Sequence, residues 1–310
     1  MKTHIIDGVT LHLGHPDDLP LEWVGRRDLV RQLLAAWLVV EDGDMPLNPR
    51  LVGRPGVGKT TLAYAAACEL KRPVWLYQAT MDTRPEDLLV TPVLGPEGSI
   101  RYSASPLVSA MISGGVCILD EGNRMSEKSW ASLAPLLDGR RYIESVVAGI
   151  KVSAHSDFRF CVTMNDDAST FDVPEYIHSR LQPQILIDFP EPDEERRILQ
   201  SNIPFAPEEI LEYVLRFLQS SHDADERFTV RDGINLVRYA LKRGHQDPKR
   251  DSYRLLAEAV RLILGPEALV YLTLPGGDPA SGPTNPAAGP TNPTADPADP
   301  DPTDPDAGRS

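Results

Sequence analysis

From residue 53 to residue 60 the chain reads Gly53-Arg54-Pro55-Gly56-Val57-Gly58-Lys59-Thr60, a GxxxxGK[ST] string followed by Thr61. Glycines let successive backbone N–H groups turn inward around a phosphate, and a helix starting at Lys59 adds the positive end of its dipole. Lys59 can then reach the β- and γ-phosphates while the Thr60 hydroxyl ligates Mg²⁺. Gly53, Pro55, Gly56, Val57, Gly58, Lys59, Thr60 and Thr61 are the expected nucleotide-binding residues. The bland alternative is a chance glycine-rich turn, but the string stands between an apolar run and an alanine-rich helix, the setting a phosphate loop requires. No NKxD guanine-reading string follows it, so ATP with Mg²⁺ is the expected ligand pair.

Two later strand ends add groups suited to phosphoryl chemistry. Val116-Cys117-Ile118-Leu119 ends in Asp120-Glu121. Asp120 would hold a water on Mg²⁺, and Glu121, pointing elsewhere, could polarise the water that attacks the γ-phosphate. Two solvated acids at a strand end are common alone; beside a phosphate loop they become a functional pair. Thr163-Met164-Asn165 closes the next apolar run, and the Asn165 amide there can hydrogen-bond the attacking water. A turn asparagine is the commoner explanation of such a residue taken alone.

The elements needed to bring these residues together are legible. Apolar strands are expected at 50–52, 74–78, 116–119, 159–163 and 184–187, alternating with helices that include 59–68 and 129–137, the pattern of a parallel α/β sheet. One helix is expected at 26–40, in an N-terminal extension. After Pro190 four amphipathic segments predict a small all-α domain with no strand before the YLTL run at 271–274. The expected division is therefore 1–190 (α/β), 191–274 (helical lid) and 275–310 (tail). The tail has ten prolines, six aspartates, no aromatic residue and GPTNP twice, a composition that predicts disorder.

The 310 residues carry a net charge of −14, and the chain without its tail is acidic too, which argues against a counterion-displacing nucleic-acid surface. No apolar run approaches the ~20 residues of a membrane span. The start lacks a secretory pattern, so the cytoplasm is the expected location. Cys68, Cys117 and Cys161 lie in apolar stretches at no metal-ligand spacing and read as reduced, buried thiols.

In this order and spacing the motifs resemble the AAA+ ATPases, and within them the MoxR group with its CbbQ/NorQ and dynein-related relatives. The resemblance rests on Walker A (GRPGVGKT), Walker B (VCILDE) followed by GNRM, the sensor-1 strand (FCVTMN), the HSRLQPQILIDFPEPDEERRIL segment and FTVRDGINLVRYAL. GPEGSIRYSASPL resembles the group's helix-2 insert and RRYIESVVAGIKVSAHS its pre-sensor hairpin. The resemblance implies a P-loop AAA+ domain with a five-stranded parallel sheet, a helical lid and an ATP-hydrolysing ring, expected hexameric, that activates or remodels a protein. It also implies that Arg180 is an arginine finger reaching a neighbouring subunit and that Arg231 is sensor 2. Arg140 and Arg141 are spare candidates for an inter-subunit contact, and Trp23-Val24-Gly25 resembles the turn that flanks the adenine. A partner with a von Willebrand factor A domain is implied by family alone. The rival reading is a DNA-directed AAA+ motor or loader, for which the sequence offers neither a basic stripe nor an added DNA-binding module. Deleting 275–310 should leave the melting temperature nearly unchanged in differential scanning calorimetry; a loss of several degrees would mean that the tail docks on the fold.

Overall fold

The computed structural model describes residues 2–95, 98–166 and 173–273. The expected tail, 275–310, lies outside them. In chain order, a hairpin of β1 (Thr3–Ile6) and β2 (Val9–His12) precedes α1 (Arg27–Trp37). Strand β3 (Arg50–Gly53) leads through the glycine-rich loop into α2 (Lys59–Glu69), followed by β4 (Val74–Gln78). Next come α3 (Pro85–Leu88), a hairpin of β5 (Val90–Leu94) and β6 (Ile100–Ala104), α4 (Pro106–Ser113) and β7 (Val116–Asp120). Helix α5 (Glu127–Leu133) and a hairpin of β8 (Tyr142–Ser145) and β9 (Ile150–Ser153) lead to β10 (Arg159–Asn165), α6 (Glu175–His178) and β11 (Gln184–Ile187). Four helices follow, α7 (Pro192–Asn202), α8 (Glu208–Asp223), α9 (Val230–Gln246) and α10 (Ser252–Ile263).

The five expected strands form one sheet in the order β11-β3-β10-β7-β4, with every neighbouring pair parallel. This is the AAA+ P-loop architecture, with the helical region after it. Asn165 is opposite Gly53, and Val162 is opposite Leu119, so the ends of β3, β7 and β10 share the carboxyl edge of the sheet. That edge, where the chain order reverses, is where an open α/β sheet leaves a crevice for a ligand. One apolar core on the sheet includes Trp130, Phe160 and Met111; another, with Trp37, Leu62 and Ile118, lies under α1 and α2. Helices α7–α10 enclose an apolar cluster of their own around Leu199, Phe217, Leu236 and Leu256.

Helix starts follow local chemistry. Glu191 and Glu194 form a reciprocal capping box at α7 with Pro192 in its first turn, and Thr229 with Asp232 does the same at α9. Several expectations need correction. The N-terminal extension holds the β1–β2 hairpin as well as a helix, because Asp7 and Gly8 both adopt positive φ (48° and 82°) in a tight turn between short alternating runs. Its β2 pairs in parallel with β6, Leu11 opposite Tyr102, so the hairpin extends the β5–β6 insert into a four-stranded sheet. The 129–137 helix ends at Leu133 and the 26–40 helix at Trp37. Tyr271 closes a 3-10 turn, Pro266–Tyr271, instead of opening a strand. Cys117 and Cys161 are buried, but Cys68 is exposed at the end of α2, on the side turned away from the core.

One buried group in the helical region opposes folding at high pH. Glu195 on α7 is 1% exposed, neither carboxyl oxygen has a hydrogen-bond partner, and burial pushes it up to about 8 from 4.5. The folded chain thus keeps a proton there that the unfolded chain releases above pH 4.5, and the stability this lends falls away as the pH rises towards 8. Glu195→Gln should flatten that slope and melt about 3 °C or more above the parent at pH 9, read by thermal scans at pH 5, 7 and 9.

Candidate functional site

The phosphate loop is shaped by its glycines. Gly56 and Gly58 hold φ values of 87° and 94°, a region that side chains rarely adopt, and Gly58 is the residue from which α2 starts. A Cβ on Gly53 would fall 2.2 Å from the Ile187 carbonyl oxygen of the adjacent strand, so the loop's first residue has no room for one. Lys59 is buried, and its Nζ donates to the carbonyls of Gly53 (2.9 Å) and Arg54 (2.8 Å), curling back over the loop it must serve. Pro55 and Val57 lie within the same loop. Gly56, Val57, Gly58, Thr61 and Arg231 line a cavity of about 310 Å³ together with Trp23, Val24 and residues of α7. The indole of Trp23 would meet a Cβ on Gly58 at 3.1 Å, so it lies against the loop itself.

Thr60 and Asp120 converge across the sheet edge, the Thr60 hydroxyl donating to Asp120 Oδ1 at 2.6 Å. The same carboxyl oxygen accepts from Thr163 Oγ1 at 2.5 Å. Thr163 Oγ1 in turn accepts the backbone N–H of Glu121 at 3.0 Å, at a residue held in the left-handed region (φ 54°, ψ 40°). That conformation costs about 1–2 kcal/mol and turns the Glu121 side chain away from Asp120. Asn165 Nδ2 donates to Glu121 Oε1 at 3.1 Å, and Arg124 pairs with the other oxygen, Nε to Oε2, at 2.6 Å. Asn123 fixes the strand end behind them, donating from Nδ2 to the Asn165 carbonyl at 2.8 Å. A hydroxyl and a carboxylate meeting beside a glycine loop are the hard oxygen donors that suit Mg²⁺ held jointly with phosphate, so the residues present fit the metal as well as the nucleotide.

Thr163 and Arg124 escaped sequence reasoning as site residues, although each lay inside a motif already singled out. The available signal was a threonine two residues before the strand-end asparagine, and a cation one turn beyond the acid pair.

The arginines divide. Arg180, just after α6, lies 3.4 Å from Asp138 Oδ2 and donates to the Tyr176 carbonyl at 2.5 Å. Arg140 binds the same carboxylate through two nitrogens, at 3.0 and 2.9 Å. Arg140's hydrogen bonds, with Arg180 behind them, hold the Asp138 carboxyl down at about 2. Arg141 turns inward, donating to the Phe158 carbonyl at 2.9 Å with its guanidinium 5.6 Å above the Phe158 ring. Arg140 therefore belongs with Arg180, and Arg141 does not.

The AAA domain (dynein-related subfamily) matches residues 50–181, which span the phosphate loop, the acid pair, Asn165 and Arg180. The chain is 27% identical over 212 residues to von Willebrand factor A domain-containing protein 8 of Mus musculus, covering 62% of this chain and 11% of that one. It is 30% identical over 115 residues to protein CbbQ of Hydrogenophilus thermoluteolus, covering 37% and 43%. It thus spans less than half the length of either of these relatives. In fold it is similar to the RuvB Holliday junction branch migration motor of Thermotoga maritima, with a TM-score of 0.52 and 16% identity over 77% of this chain and 70% of that one. Residues 50–181 therefore carry an AAA domain of the dynein-related subfamily, set in an AAA+ P-loop fold. Within that domain the chain is similar to CbbQ.

Thr163→Val keeps the side-chain shape but leaves the Glu121 N–H without its acceptor and Asp120 without one donor, a loss of about 1–3 kcal/mol. The variant should melt several degrees lower and exchange the Glu121 amide faster by NMR, whereas Thr163→Ser should restore both.

Proposed function

We propose that the chain hydrolyses ATP with Mg²⁺, assembles into a ring, expected hexameric, and uses the turnover to activate or remodel a protein partner. The observation that carries this reading is the convergence of Thr60, Asp120, Glu121 and Asn165 at one sheet edge beside the glycine loop. In this reading residues 1–190 form the nucleotide-binding domain and 191–274 its lid. Lys59 exchanges its two loop carbonyls for the β- and γ-phosphates, and Thr60 with Asp120 would hold Mg²⁺, which when bound would screen the phosphate charge. Asn165 aligns the attacking water, and Glu121 takes its proton as the γ-phosphoryl group leaves. Arg231 approaches the phosphates from the lid side of the same pocket, and Arg180 of the next subunit neutralises charge in the transition state.

The name of the mouse relative carries a von Willebrand factor A domain, and a partner with such a domain is the client this reading favours. The DNA-directed alternative draws on the fold likeness to RuvB alone, and the net charge of −14 works against it.

Lys59→Ala should sharply weaken ATP binding in titration calorimetry without unfolding the chain; unchanged affinity would overturn the assignment of the loop. Arg180→Ala should keep binding and lower turnover by a factor on the order of 10³. Mixing it with Glu121→Gln subunits should recover phosphate release, since an intact finger then meets an intact acid pair across one interface. If labelled subunits exchange and no activity returns, Arg180 does not act in trans in rings that need only one sound site.

A further inference from the structure

Arg54, the second residue of the phosphate loop, points out of the phosphate pocket and into the helical region. Its guanidinium lies 5.0 Å above the centroid of the Phe189 ring, and that ring is stacked on the His222 imidazole with centroids 3.8 Å apart and planes 15° from parallel. The same guanidinium donates to the Glu226 carbonyl at 3.0 Å and pairs with Asp225, both in the turn that joins α8 to α9. Behind the stack, His222 Nε2 is bonded to the Phe228 carbonyl at 2.8 Å, and Nδ1 stands 3.6 Å from Oε1 of the buried Glu195. Cation, phenyl ring, imidazole and acid thus run in line from the loop into the helices.

A second contact lies beside the first. A Cβ on Gly56 would come within 2.5 Å of Thr229 Oγ1, so the N-cap of α9 rests directly on the loop. Arg231 is two residues beyond that cap and lines the 310 Å³ cavity with Gly56 and Gly58. Whatever holds the 225–229 segment against the loop therefore also sets the height of Arg231 over the pocket.

We propose that Arg54 is a positioning residue: by clamping the Phe189–His222 stack and the 225–226 turn, it fixes the lid helices, and with them Arg231, over the phosphate loop. The proposal rests on the reading of this loop as the nucleotide site. An ordinary surface ion pair does not account for the arrangement, because Asp225 is 88% exposed and such a pair contributes little. The directional parts are the ring face and the Glu226 carbonyl, and they need a planar cation that stacks and donates at once. Arginine does both; lysine would bring only its charge.

The charged groups facing His222 are Asp223 from its own helix and Arg54 from the loop, while Glu195 of α7, 3.6 Å away, keeps its proton in the buried site and faces the ring as a neutral acid. Burial lowers the His222 pKa, and the Arg54 cation lowers it further. Removing that cation should let His222 titrate at higher pH, a readout in the lid of a change made in the loop.

The test measures, in the full chain, the dissociation constant of Mg²⁺–ADP by calorimetry and the His222 titration by ¹⁵N NMR, assigned with a His222→Gln sample. Arg54→Ala should weaken binding about tenfold and raise the His222 pKa, and Arg54→Lys should recover the pKa but little of the affinity. Combining Arg54→Ala with Arg231→Ala should cost little more than either alone, because both remove the same placed cation. Weakened binding with an unmoved His222 would mean that Arg54 touches the phosphates directly and overturns the clamp. A shifted His222 with unchanged affinity would overturn the positioning role. If Lys59→Ala and the parent bind ADP equally, the site reading falls, while the His222 titration still judges whether the contact exists.

Discussion

A single oxygen, Oδ1 of Asp120, joins three segments of the chain by accepting from Thr60 at the start of α2 and Thr163 near the end of β10. The hydroxyl of Thr163 then accepts the Glu121 amide, so the backbone turn that separates the two acids hangs from the same point. The parallel register makes this possible, because side-by-side strands that end together bring their last residues to one edge. Had β10 slipped by one residue against β7, Thr163 would face the opposite side of the sheet and both bonds would be lost.

The residues with strong chemistry were legible because their spacing is local: the glycine string, the acid pair and the strand-end asparagine each occupy a few consecutive positions. The five strands were legible as well, since a buried parallel sheet needs unbroken apolar runs. What could not be read was which group meets which across the sheet. Thr163 looks like any β-branched strand residue until β10 is laid between β3 and β7, and Arg124 looks like a solvated cation until the 3-10 turn at Gly122–Arg124 brings it back to Glu121. The β1–β2 hairpin was missed for a different reason. Its strands are four residues long, and β2, which carries the buried Leu11, finds its second neighbour in β6, some ninety residues away.

Arg140 and Arg141 illustrate the limit of adjacency as a guide. They are consecutive, yet Arg141 takes positive φ (48°) and its guanidinium packs inward on Phe158, while Arg140 stays at the surface on Asp138. Sequence offers no way to rank the two, because the choice is made by a backbone turn and by an aromatic ring seventeen residues on. In the helical region the difficulty is sharper. Glu195 sits in the acidic run Asp193-Glu194-Glu195, which reads as a solvated helix start, and only the packing of α8 against α7 reveals it as a buried acid.

The Arg140–Asp138–Arg180 group also bears on how a site shared between subunits would stay silent in a single one. Asp138 titrates at about 2, so it remains an anion across the physiological range and both arginines keep a partner at any such pH. Two cations on one carboxylate leave a net positive patch, which a neighbour's phosphates would meet with favourable charge. For Arg180 to reach them it must give up a 3.4 Å contact to Asp138, one backbone carbonyl and its place 6.0 Å from the centroid of the Tyr176 ring, whereas Arg140, bound to the acid through two nitrogens, stays behind to neutralise it. On the proposed reading, that unequal hold selects Arg180 as the arginine that moves and Arg140 as the one that keeps Asp138 from opposing it.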